Sequence, residues 1–152
     1  MVVLASLIYA IQAVWPILFP SMIAVAPLVP DCDLRQGGGC TAVLPDGGKV
    51  QLAIEPRDIP VLKPLTLIVR TQGVHLTRVE VDFAGVDMNM GYNRVELSQD
   101  SAGLWQGQAT LPVCIRKRMR WEAKVLLQTE VGLLAAPFQF DTFSPASGTE
   151  AG

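Results

Sequence analysis

Met88 and Met90 stand one residue apart in the run Asp87-Met88-Asn89-Met90-Gly91-Tyr92, and further on Leu111-Pro112-Val113-Cys114 is followed by Met119. If Met88 and Met90 lie on a strand they share one face, because side chains alternate with period two. Thioethers near a thiolate form a soft ligand set that favours Cu(I) over hard cations such as Mg²⁺. Met88, Met90 and Cys114 are the expected metal ligands, with Met119 as a further one. Asp87, Asn89 and Gly91 mark the place as a strand end or rim, where sites form. The competing reading is packing, since unbranched methionines fill irregular gaps in a core.

Strands must position these residues. Val79, Val81 and Phe83 hold odd positions whereas Val86, Met88 and Met90 hold even ones, so the apolar parity flips at Ala84-Gly85. A one-residue bulge at Gly85 accounts for the flip and keeps both methionines on the inward face. From Thr41 onward short apolar runs are broken by Pro and Gly, with no long helical period. Thr41–Leu44 and Lys49–Ile54 read as a hairpin around Pro45-Asp46-Gly47-Gly48, because Asp-Gly and Gly-Gly supply the positive φ of tight turns. Glu55 to Pro64, with three prolines, reads as a loop. Further strands are expected at Leu65–Arg70, Val74–Phe83, Tyr92–Ser98, Leu104–Leu111, Trp121–Gln128 and Leu133–Asp141. In the strand from Trp121, an apolar row of Trp121, Ala123, Val125 and Leu127 opposes Glu122, Lys124 and Gln128. About seven antiparallel strands at this spacing predict an all-β fold, an immunoglobulin-like β-sandwich over residues 31–143. The Ser-, Gly- and Ala-rich tail 144–152 is expected to be disordered.

Met1 to Pro30 contains no Asp, Glu, Lys or Arg. Roughly 20 apolar residues suffice to cross a bilayer, so residues 1–30 read as an N-terminal transmembrane helix, retained as an anchor. A helix is expected over Val2–Trp15, then a portion kinked by Pro16 and Pro20, with Trp15 at headgroup level. The small-x-small triplet Ala24-Val25-Ala26 leaves cleavage as a signal segment open. Cys32 and Cys40 enclose a short Gly-rich loop that closes if the thiols meet an oxidant, which leaves Cys114 as the odd thiol. Pairings that use Cys114, or three reduced thiols, stay open.

Composition excludes several functions. A net charge of −2 in 152 residues gives no electrostatic case for nucleic acid. No Gly-x-Ser-x-Gly elbow is present, and the single His75 makes a His-based triad a matter of spatial accident. Gly37-Gly38-Gly39 is not followed by Lys-Ser and supports no phosphate loop. The chain is therefore expected not to be an enzyme and to take no small-molecule substrate. Asp82 and Asp87 read as solvated carboxylates. His75 is either structural or a borderline ligand joining the methionines. Ile115-Arg116-Lys117-Arg118 reads as a hairpin tip, continued by Arg120, that serves either as a docking surface for an acidic partner or anionic lipid, or as a solvated turn.

The ordered pattern Val81-Asp82-Phe83, Gly85 to Arg94 with its Asp-Met-x-Met-Gly, Trp105-Gln106-Gly107, Leu111-Pro112-Val113-Cys114 and Met119-Arg120-Trp121 resembles the FixH/YtkA-like membrane-anchored proteins of bacteria. The resemblance covers most of Thr41 to Thr142. It implies an N-terminal anchor, a domain facing the periplasm, and a part in copper handling or the maturation of a respiratory oxidase. Two functions are thus expected from the sequence. One is a membrane-anchored protein that holds Cu(I) and passes it to a copper-accepting protein or oxidase subunit. The other is a structural or assembly subunit that binds no metal and docks on a membrane protein complex.

Overall fold

The computed structural model describes residues 1–18, 22–30, 32–36, 39–91, 93–112 and 117–143. Cys114, Tyr92, Pro20 and the tail 144–152 lie outside the described residues. Helix α1 (Val2–Leu18) is followed by β1 (Met22–Val25), β2 (Cys40–Val43), β3 (Lys49–Glu55), β4 (Leu65–Gln72), β5 (Arg78–Gly85), β6 (Arg94–Ser101), β7 (Leu104–Ala109), β8 (Arg118–Thr129) and β9 (Gly132–Phe143). The chain is mostly β, as expected, with nine strands in the order β1-β9-β8-β5-β6-β7-β4-β3-β2.

Period-two burial follows directly from the sequence. In β3, Val50, Leu52 and Ile54 turn inward, and in β8 the row Trp121, Ala123, Val125 and Leu127 is fully buried. Trp121 is accommodated because its indole Nε1 donates to Thr142 Oγ1 at 3.0 Å, which satisfies its one buried donor. Phe83 meets Phe140 edge-on beside it, at 6.2 Å between ring centroids.

The sheet changes partners within one strand. Arg94 to Leu97 of β6 pair with β5, whereas Ser98 to Ser101 pair with β7 after the chain has moved on. This makes the nine strands one curved half-barrel. A single contiguous core draws on both halves, from Leu52 and Leu67 on one to Val81 and Phe138 on the other. The β2–β3 turn matches its sequence signal: Gly47 takes a φ of +91° and the Gly48 amide donates to Asp46 Oδ1 at 3.0 Å.

β1 and β2 are neighbours in sequence but occupy opposite ends of the strand order. The connection between them carries Ala26 and Leu34 into the core. It is tied to β2 by the Cys32–Cys40 disulfide, with Cα atoms 5.9 Å apart, the short loop anticipated from the spacing. β1 itself was not legible: it pairs parallel with β9, Met22 opposite Leu133 and Val25 opposite Ala135, within the stretch expected to be anchor.

Helix α1 runs through Pro16 to Leu18 rather than stopping at Trp15. A proline beyond the first turn removes an amide donor and crowds the preceding turn, and α1 ends two residues after it. Among the described residues no helix is long and apolar enough to cross a membrane. Yet α1 is apolar and exposed on almost every side, with Leu4, Leu7, Ile8 and Ile11 open on one face and Val2 and Tyr9 on the opposite one.

Candidate functional site

β5 ends at Gly85, and its register against β8 runs without a shift from Arg78 opposite Gln128 to Gly85 opposite Trp121. The bulge expected at Gly85 is therefore absent. The amide of Val86 still donates to the Arg120 carbonyl at 3.0 Å, and beyond it the chain bends away from the sheet. Met88 and Met90 consequently stand on a loop, not on a strand face, and the parity flip marks the exit from the ladder.

Asparagines hold that loop. Asn89 Oδ1 accepts from the Gly91 amide at 2.9 Å, and the Asn93 side-chain amide donates to the Met90 carbonyl at 3.0 Å. Gly91 takes a φ of +77° between them, a conformation glycine adopts without steric cost. Asn-x-Gly followed by Asn is a turn signal by mechanism, since Asn side chains bond to nearby backbone and tolerate left-handed geometry. The sequence reading used Asn89 only as a marker of a strand end and passed over Asn93.

Met119 lies on the inward face of β8, opposite Thr142, and is buried. A Cβ placed on Gly85 would collide with the Met88 carbonyl oxygen and with the methyl of Met119. The backbone carbonyl of Met88 and the side-chain methyl of Met119 thus both approach Gly85, where only a hydrogen atom fits. Met88 and Met90 are half-buried and pack on the core. In front of them is an open depression of about 420 Å³, lined by Gly85, Val86, Asp87, Met88, Asn89 and Met90. Of the four expected ligands, the structure gathers Met88, Met90 and Met119 at one end of the sheet. Cys114 cannot be placed beside them, as it is not among the described residues.

Thioether sulfurs are soft donors, a class that favours Cu(I) over hard cations. Among the described residues no group of three or more His, Cys, Asp or Glu gathers to hold a metal ion. His75 does not join the methionines. It is exposed on the loop between Gly73, with φ of +70°, and the start of β5, so the strand expected from Val74 begins only at Arg78. The length of β5, about 25 Å at the usual rise per residue, separates it from Gly85.

Arg118 and Arg120 belong to β8 and are not part of a free tip. Arg118 Nε and Arg120 Nε each lie 3.1 Å from an oxygen of Asp141 on β9. Partial burial of Asp141 pushes its carboxyl up, but the hydrogen bonds from Arg120 and Arg118 outweigh burial and hold it below the usual carboxylate range. The same bond, together with the charge of Asp141, raises Arg120. The basic patch expected at this end is thereby partly neutralised, leaving exposed Lys117 next to it.

No family model and no curated protein matches this chain. Among solved structures, the crystal structure of an engineered protein is similar at a TM-score of 0.42 and 21% identity, over 61% of this chain. The match spans 19% of that protein's own length.

Proposed function

We propose that this chain is a membrane-tethered, non-catalytic β-domain, an immunoglobulin-like sandwich held by α1 on the outer side of a bacterial membrane. The carrying observation is α1 itself. Its 17 residues include no charge, and its large side chains are open to the surroundings on nearly every face. A surface helix of a water-soluble domain buries one stripe and presents charges on the other, whereas all-round apolarity calls for a hydrocarbon environment. At about 1.5 Å per residue the helix reaches about 25 Å, short of the hydrocarbon layer at about 30 Å, so it serves as a tether seated in the lipid and not as a full crossing. Ser6 Oγ already donates to the Val2 carbonyl at 2.9 Å, so its hydroxyl needs no water. The Cys32–Cys40 disulfide supports an oxidising, extracytoplasmic location.

The test is co-flotation of the full chain with phosphatidylcholine vesicles, compared with Leu7→Asp/Ile11→Asp. The wild-type chain floats in high salt and the double variant does not, while the near-ultraviolet signal of buried Trp121 is the same in both. Equal flotation of the two chains rejects the tether.

A second reading has its own observation, the placement of Met88, Met90 and Met119 at the same end of the sheet. Here the thioether end holds Cu(I) for a copper-accepting protein or an oxidase subunit, as the FixH/YtkA resemblance implies. Met88→Leu/Met119→Leu keeps volume and removes both sulfurs at a cost of about 1 kcal/mol in packing. Cu(I) titration against a competing chelator then loses at least tenfold in affinity. Unchanged affinity leaves the methionines as core packing and the chain as an assembly or docking subunit.

A further inference from the structure

We infer that the β-domain stands upright on the bilayer, with the β8–β9 turn against the headgroups and the thioether end pointing away from the lipid. The inference rests on the tether proposed above and adds its direction.

β1 begins at Met22, four backbone steps after the end of α1 at Leu18. Four steps span at most about 14 Å. The end of the sheet where β1 starts is thus held within that reach of the helix terminus. Met22 pairs with Leu133, just past the turn in which Thr129 faces Gly132. Met119 pairs with Thr142, nine residues further along β9, about 30 Å away at the strand rise. The start of β1 and the methionine end therefore lie at opposite ends of the same strands.

The turn near the helix carries one apolar and one charged exposed side chain at its tip, Val131 and Glu130. Val131 is 84% exposed at its tip. Thr129 fixes it there: its Oγ1 accepts from the Gly132 amide at 3.2 Å and donates to the Gly132 carbonyl at 2.8 Å. By contrast, the outward face of β5, β6 and β8 carries the ion-paired Glu80, Asp82, Arg94, Glu122 and Lys124. Lying on that face would press charges against lipid, which costs desolvation that an upright domain avoids.

The experiment uses the full chain with Cys114→Ser, in which the remaining cysteines are disulfide-bonded. Val131→Cys and Asp87→Cys are labelled separately with an environment-sensitive fluorophore. Each is bound to phosphatidylcholine vesicles with and without a nitroxide on the headgroup. Flotation of both labelled chains is recorded first, since its loss overturns the tether and with it the inference. With flotation intact, quenching at Val131→Cys at least threefold that at Asp87→Cys is expected. Equal or reversed quenching overturns the upright orientation and leaves the tether standing.

Discussion

The amide of Ala26 donates to the carbonyl of Ala135 at 2.8 Å, which ties the residue closing the small-x-small triplet to the edge of the β-sheet. Ala26 is also buried, and β1 immediately before it pairs with Leu133 to Ala135 at the start of β9. Proteolysis after Ala26 would remove that strand and leave the β9 edge open to other chains.

The N-terminal segment is accordingly expected to be retained. Mass spectrometry of the protein extracted from membranes should give an N-terminus upstream of Met22. A mature chain beginning at Pro27 would contradict this, and would be expected to aggregate through β9.

Gly85 is required by contact and Gly91 by backbone conformation alone. A Cβ at Gly91 meets nothing within 4 Å, whereas one at Gly85 strikes both backbone and the Met119 methyl. Gly91→Ala should cost about 1 kcal/mol through its positive φ. Gly85→Ala should cost about 1–3 kcal/mol by forcing the loop and Met119 apart. Urea midpoints of the two variants check the order, and a milder effect at Gly85 would show that the loop is free to move.

The disulfide closes a short loop and should contribute about 2.5 kcal/mol through the unfolded state. Cys32→Ser/Cys40→Ser is expected to lower stability by that order in urea unfolding. Thiol counting on the denatured, unreduced chain should find one reactive group, Cys114. Three reactive groups would refute the pairing.

Asp141 makes stability depend on acid. Its carboxyl is held below the usual range, so its contribution is complete above the unfolded value of about 3.9 and is lost as pH falls through the lower folded value. Arg118 and Arg120 are largely exposed, which limits the effect to about 0.5–1 kcal/mol. Urea unfolding at pH 7 and pH 3 should show the wild-type chain losing more than Asp141→Asn over that interval. An equal loss would remove the arginine pairing as a cause.

Much of the β-domain was legible because its strands face a core on one side, which imprints period two. Trp121, Ala123, Val125 and Leu127 are the clearest instance. β1 escaped because Met22 to Val25 sits inside an uncharged run, where apolarity alone does not separate a strand from a membrane segment. The methionine loop was misread for a different reason: a parity flip is produced equally by a bulge and by a strand that ends. The unshifted register of β5 against β8 up to Gly85 distinguishes the two, and alternation does not encode that pairing. The approach of the Met88 carbonyl and the Met119 methyl to Gly85 joins residues more than thirty positions apart, and so it became visible only with the register of β5 against β8.

Whether α1 sits in hydrocarbon is measured most directly by tryptophan quenching. Trp105 and Trp121 are buried in the β-domain, whereas Trp15 is 59% exposed on the helix. In vesicles with brominated acyl chains, the emission of the full chain should fall by roughly the share belonging to Trp15, and Trp15→Phe should abolish the fall. Emission indifferent to bromine in the wild-type chain would place the helix outside the bilayer.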